Sequence, residues 1–263
     1  MLDRDSILRK LDKIDDKLFT ARVLDRVLRA EKTKDAVFTD FLDPYQLKLV
    51  EKALTGVNDI NYTINGGCSG AERVIAIFGP NFMSDEELQS VQPFSVISIK
   101  PVSRENLTHR DYLGALMGLG IKREKIGDII ARADSCDVIV IEEIADYIKY
   151  NLWKVGNARV DVEIKDLSQV RTHQPKVKEI NATVASLRLD VVASPGFGMS
   201  RSKMTEFIKA GKVSLNWEAT DNATKQVKAG DNISMRGRGR VVVESIGGTT
   251  KKGRISIALK KYI

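Results

Sequence analysis

Cysteine and histidine are nearly absent, with two of each in 263 residues. Cys68 and Cys136 lie far apart in sequence, which excludes a disulfide framework and fits reduced thiols in a reducing compartment. A zinc site assembled from them with His109 and His173 would need an implausible convergence. No apolar run approaches the roughly 20 residues of a membrane span. The opening MLDRDSILRKLDK has neither the apolar stretch nor the cleavage site of a secretory signal. A cytoplasmic chain is the expectation. Internal repeats and low-complexity tracts are also missing, and the 43% hydrophobic and 29% charged content is that of a folded protein rather than a disordered one. At about 150 residues per domain, the length suggests roughly two domains.

What is present in excess is positive charge, and it sits at one end. Residues 181–263 carry 15 Lys and Arg against 6 Asp and Glu, whereas residues 1–180 carry 27 against 29. The net +7 is therefore +9 on the last third and −2 on the rest. Such asymmetry is the footprint of a polyanion binder, because each neutralised phosphate releases counterions. A solvated basic face has the same composition, so charge alone leaves both readings open.

Apolar residues recur at helical spacing from Asp3 to Ala30, which predicts one or two amphipathic helices. Asp43-Pro44 is a cap and first-turn signal for a helix through Leu54. Alternation at Ile60–Ile64 and the β-branched run Arg73–Phe78 predict a strand pair, with another strand at Phe94–Ile99. A helix follows from Thr108, then a second short helix through Ile126, Ile129 and Ile130, a strand at Val138–Ile141, a helix from Glu142 to Leu152 and a strand at Ala158–Ile164. The expected organisation is α+β. It comprises a helical segment over 1–57, an α/β unit over 58–166 resembling a split β-α-β sandwich, a linker or transition strand over 167–182, and a basic domain over 183–263 with short C-terminal strands.

The basic domain holds the most informative spacing. Arg188-Leu189-Asp190 is followed by Ser200-Arg201-Ser202-Lys203, then Ile208-Lys209-Ala210-Gly211-Lys212-Val213, Asn216, and Val227-Lys228-Ala229-Gly230-Asp231-Asn232-Ile233. Ser200 can cap a helix while Arg201 and Lys203 project beside its amide-rich start, a combination suited to phosphate. Gly211 permits the left-handed stop that lets Val213 enter a strand.

This order of residue types, over about 184–234, resembles the S-four RNA-binding module. The resemblance implies RNA contact for Arg188, Ser200, Arg201, Ser202, Lys203, Lys209 and Lys212. One departure is the Gly- and Pro-rich stretch Ser194–Met199 between the two helices, which bears on their relative geometry. Further out, Phe38–Pro44, Asn65-Gly66-Gly67 with Glu72-Arg73, and Thr108–Ile121 are similar to the YlmH family of bacterial proteins, also called RqcP, and this resemblance covers nearly the whole chain. It implies a helical N-terminus, an RRM-like α/β domain and a C-terminal S-four module. It also implies a ribosome-associated quality-control factor that holds tRNA and large-subunit RNA while a partner protein adds a C-terminal alanine tail.

Other signals are weaker. Arg236, Arg238 and Arg240 form a short Arg-Gly repeat, and Lys251-Lys252-Gly253-Arg254 another basic turn; both lie between strand segments and read as hairpin tips with auxiliary phosphate contact, or as solvated turns. Met199–Lys203 faintly resembles a tRNA-synthetase lysine signature but has no upstream nucleotide-binding His motif, and the Asp of a pseudouridine synthase would lie in a separate domain. Asn65–Gly70 lacks the Gly-Lys-Ser/Thr end of a phosphate loop. Glu142-Glu143 reads as a helix-start preference rather than an acid/base dyad. Tyr62, Phe78 and Phe94 are too sparse for the usual RNP signature, so an RRM-like shape is expected without ordinary single-strand reading. Arg104, Arg110, Lys122, Arg123 and Lys125 are local basic positions for RNA or protein.

The expectation is a monomeric, non-catalytic factor without metal or cofactor. It binds large-subunit rRNA and tRNA on the large ribosomal subunit, with a tailing-factor protein as a further partner. An RNA-modifying enzyme using the α/β domain, or a nucleic-acid-binding cell-division scaffold, are the alternatives.

Overall fold

The computed structural model describes residues 3–57, 60–103, 105–170 and 177–262. Arg104, His173 and part of the expected linker lie outside them. The chain divides into two compact units, Met1–His173 and Gln174–Ile263.

The first unit opens with α1 (Arg4–Arg9) and α2 (Ile14–Thr33), which buries Val23, Leu24, Val27 and Ala30 along one face. After β1 (Val37–Phe38), α3 (Pro44–Leu54) begins as its sequence predicts: the Asp43 carboxylate accepts from the Gln46 N–H, the Gln46 side chain accepts from the Asp43 N–H, and Pro44 occupies the first turn. β2 (Ile60–Asn65) and β3 (Ile75–Pro80) follow, with β3 between β1 and β2 in a three-stranded antiparallel sheet. The expected boundary at residue 57 thus cuts across one sheet. Alternation identifies β2 and β3 as strands, but β1 is only two residues long, too short to announce itself by pattern.

A short helix, α4 (Asp85–Ser90), leads to the second sheet of this unit. Its elements are β4 (Phe94–Pro101), α5 (His109–Gly118), β5 (Ile126–Ala131), β6 (Cys136–Ile141), α6 (Ala145–Asn151), β7 (Lys154–Val155) and β8 (Ala158–Lys165). The strands are antiparallel in the order β5-β6-β4-β8-β7, a split β-α-β arrangement edged by β7. The helix expected through Ile126–Ile130 is instead β5. Its register slips between Ile126 and Ile129, and this bulge puts residues three apart on the same buried side, which imitates helical spacing. Gly127 sits in the bulge because any Cβ there would lie 2.7 Å from the Phe41 ring.

One face of the five-stranded sheet packs on α5 and α6 through Ile97, Ile99, Tyr112, Leu116, Val138 and Ile148. Phe94, Ile139 and Ile141 on the other face are buried with Phe41, Ile75 and Ile77 of the N-terminal part. Phe94 of this sheet is therefore a core residue, and so is Phe78 on β3 of the three-stranded sheet, where Tyr62 on β2 is partly exposed.

The second unit comprises β9 (Val177–Val184), α7 (Leu189–Phe197), α8 (Arg201–Lys209), β10 (Val213–Leu215), β11 (Glu218–Ala219), β12 (Asn232–Met235), β13 (Gly239–Thr249) and β14 (Ile255–Tyr262). Its sheet order is β11-β10-β12-β13-β14-β9, antiparallel throughout. Residues 177–182, read as linker or transition strand, belong to a full strand paired with β14. Lys178, Glu179, Asn181 and Thr183 are exposed and polar, so the apolar signal is weak even though the backbone ladder is complete. Leu189, Val192, Phe197, Met204 and Ile208 of the two helices share one core with Val213, Ile233, Val241 and Leu259 of the strands.

Candidate nucleic-acid interface

The Gly- and Pro-rich stretch between the helices resolves as the end of α7 and a tight turn. Gly196 packs where a Cβ would stand 2.9 Å from Val241, so its lack of a side chain lets the helix approach the sheet. Gly198 then takes a left-handed conformation at φ 64° and ends α7, while the Met199 N–H closes on the Ser194 carbonyl. Two residues later Ser200 caps α8, its hydroxyl accepting from the Lys203 N–H at 3.3 Å.

The centre of the surface is Asp190, whose side chain is only 2% exposed. Its Oδ1 accepts from Arg188 Nε at 3.1 Å, and its Oδ2 from Arg188 Nη2 at 3.2 Å and Arg201 Nε at 2.7 Å. Burial alone would raise the pKa of this carboxyl, but the hydrogen bonds and charges of Arg188 and Arg201 outweigh it and hold the value below the ordinary 3.8. Asp190 therefore stays ionised and fixes two guanidinium groups, one from the cap position before α7 and one from the first turn of α8. Arg201 remains 58% exposed beyond that anchor. Ser200, Ser202 and Lys203 are exposed around it on the first turn of α8, at the positive end of the helix dipole.

A second basic edge forms at the other end of α8. Lys209 and Lys212 are exposed on either side of Gly211, which turns the chain at φ 66°, and the Lys212 ammonium lies 5.7 Å from the Phe207 ring centre. The Arg236 N–H donates to the Lys212 carbonyl at 2.9 Å, so the β12–β13 hairpin, with exposed Arg236 and Arg238, adjoins this turn. Arg240 goes elsewhere. It alternates with core-facing Val241 along β13, and its guanidinium stacks 4.1 Å from the Tyr262 ring centre. The structure thus brings Arg188 and Arg201 together through Asp190, joins Lys212 to Arg236, and directs Arg240 to the opposite sheet face.

Other motif residues have internal work. Asn216 and Trp217 both have positive φ, 53° and 66°, and form the two-residue turn between β10 and β11. Asn216 Nδ2 donates to Asp231 at 2.8 Å and its Oδ1 accepts from the Asn232 N–H at 2.9 Å, which ties that turn to the Gly230-Asp231 turn. Arg254 is held against Thr183. In the first unit, Arg123 donates to the Ile126 and Gly127 carbonyls, and Lys125 pairs with Asp40 and Glu143, while Arg110 and Lys122 are exposed. The organising role of Asp190 escaped the sequence reading; an acid two residues after an Arg in an otherwise basic motif was the available signal.

Comparison with known proteins accounts for all three regions. Family models match at residues 15–81 ("YlmH, N-terminal"), 94–169 ("Putative RNA-binding domain in YlmH") and 187–233 ("S4 domain"). A protein of Bacillus subtilis named ribosome-associated protein quality control protein P2 is 37% identical over 225 residues, which span 85% of this chain and 86% of that protein. The chain belongs to the YlmH family. Its N-terminal and middle family segments meet between residues 81 and 94, where α4 joins the two sheets of the first unit. A structure titled cell division protein ylmH from Streptococcus pneumoniae matches 60% of this chain and 96% of that one, with a TM-score of 0.52 at 19% identity, a likeness of fold. No helix among the described residues is long and apolar enough to cross a membrane.

Proposed function

We propose that this YlmH-family chain is a non-catalytic RNA-binding factor of ribosome-associated quality control. It places the start of α8 against rRNA and tRNA on the large ribosomal subunit and so supports C-terminal alanine tailing of stalled nascent chains by a partner protein. The observation that carries this reading is the buried Asp190 carboxylate, which anchors Arg188 and Arg201 beside the capped start of α8. Fixed guanidinium groups next to free helix amides suit phosphates held in a rigid RNA shape, because their geometry is set before binding. Arg188, Ser200, Arg201, Ser202 and Lys203 form the primary contact. Lys209, Lys212, Arg236 and Arg238 extend it, and Arg240 contacts RNA from the other sheet face.

The first unit, with an RRM-like middle portion, positions the tRNA or the tailing partner. The factor works in the cytoplasm as a monomer and needs no cofactor. Purified chain is expected to co-sediment with large ribosomal subunits at moderate salt, and the double variant Arg201→Ala/Lys203→Ala to lose most of that binding. Unchanged sedimentation of the double variant would overturn the site.

A further inference from the structure

The first unit carries an aromatic edge that the basic surface of the second does not use. Tyr147, Tyr150 and Trp153 follow one another at three-residue intervals, the first two on α6 and the third just before β7, and all three are exposed, Tyr150 by 76% and Trp153 by 68%. The backbone beneath them is fixed. Ile148 and Leu152 are buried between the rings in sequence and Val155 just after them, and the Trp153 carbonyl accepts from the Val160 N–H at 3.1 Å. Large rings presented to water from a rigid edge mark a binding surface rather than loose packing.

Charge identifies the occupant. From Lys149 to Val160 the chain holds three cations, Lys149, Lys154 and Arg159, and no carboxylate, although residues 1–180 as a whole are net negative. All three are exposed; Lys154 and Arg159 are cross-strand partners, and the Lys149 ammonium lies 5.6 Å from the Tyr150 ring centre. Alternating rings and cations suit unpaired nucleotides, whose bases stack on aromatic faces while their phosphates meet lysine and arginine. A protein partner would bury the rings as readily but gains nothing specific from a run of positive charge.

We infer that the Tyr150–Trp153 edge, with Lys149, Lys154 and Arg159, is a stacking site for unpaired RNA bases, separate from the structured-RNA surface on α7 and α8. This inference rests on the RNA-binding reading and deepens it, giving the middle segment a ligand class of its own. The usual sheet face is closed here, since Phe94, Ile139 and Ile141 are buried, so the site lies at the edge strand instead.

The test is titration of the full chain with a labelled 12-nucleotide oligouridine, which forms no stable secondary structure, read by anisotropy and by tryptophan emission. Wild-type emission is expected to be quenched on binding, and the quench to disappear in Trp153→Leu. Tyr150→Ala/Trp153→Ala should weaken binding by about tenfold or more, the loss expected for removing base-stacking rings. Trp153→Phe should bind within about threefold of wild type, since it keeps a ring to stack on. In Arg201→Ala/Lys203→Ala, the quench that depends on Trp153 should persist, because neither residue lies on this edge.

A double aromatic variant that binds as wild type overturns the inference, and so does equal weakening by Trp153→Phe and Trp153→Leu. Oligouridine that fails to quench the wild-type protein also overturns it and leaves a protein as the occupant. Subunit sedimentation of the Arg201→Ala/Lys203→Ala variant is scored separately, so failure at the aromatic edge is distinguishable from failure of the RNA reading on α7 and α8.

Discussion

Two pairs of arginines, one in each unit, show how little residue type says about role. Arg73 and Arg123 belong to the first unit and point inward. Arg73 donates to the Phe41 carbonyl at 2.8 Å and the Ile126 carbonyl at 3.0 Å, and burial, followed by the nearby Arg73 charge, lowers the Arg123 pKa to about 10. Together with Asp128, which accepts from the Glu72 and Arg73 N–H groups, they lock the N-terminal sheet to the middle sheet. Arg188 and Arg201 belong to the second unit and converge on one buried carboxylate while most of Arg201 stays in solvent. A guanidinium committed to carbonyls inside the fold holds elements together; one anchored by a single edge keeps donors for a ligand.

That contrast can be broken most strongly from the inside. Arg73→Ala takes a donor from the Phe41 carbonyl and leaves the Ile126 carbonyl with Arg123, and should destabilise the first unit by roughly 2–4 kcal/mol in urea unfolding. Its binding to structured RNA should follow wild type wherever the chain remains folded. Asp190→Ala comes next: it removes a buried hydrogen-bonded carboxylate, at about 1–3 kcal/mol, and frees both arginines. Affinity for large subunits should fall by about tenfold, with Asp190→Asn intermediate because it keeps part of the hydrogen bonding.

Arg201→Ala/Lys203→Ala should destabilise by about 1 kcal/mol, less than Asp190→Ala, because the buried carboxylate loses the Arg201 donor but keeps Arg188, while Lys203 is exposed. Its mark is in the salt dependence of RNA binding, whose log–log slope should shrink by about 2. The smallest effect is with pH. The Asp190 pKa is depressed, so its stabilising contribution is complete above 3.8 and is lost as pH falls through the lower folded-state value. Guanidinium anchoring should therefore be flat from pH 7 to 5 by hydrogen exchange of α7 and fail only in strong acid. A loss near pH 6 would place the control in another group.

Much of this is legible in the amino-acid sequence. The Asp43-Pro44 start of α3, the strands of the middle sheet and the helix, turn and strand order of the C-terminal module all announce themselves through caps, periodicity and glycine. The failures have physical causes. At Ile126–Ile130 a bulge shifts the register and imitates a helix, and β9 exposes alternate polar residues that hide a fully paired strand. The boundary at residue 57 missed because β1 supplies only two residues to the sheet it completes with β2 and β3.

At the candidate site the residue types were readable and their grouping was not. Arg236, Arg238 and Arg240 look like one patch, yet the two-residue period of a strand turns Arg240 onto Tyr262. Arg123 and Lys125 looked available and are engaged internally.

By itself, the sequence determined where positive charge accumulates, which segments are helices or strands wherever period and caps agree, and that one segment has the residue order of an RNA-binding module. These are local properties, set by neighbours within a few positions along the chain. Only the tertiary structure decided which cations remain free. That choice depends on buried partners, Asp190 for Arg201 and the Ile126 carbonyl for Arg73, which the fold brings from 11 and 53 residues away.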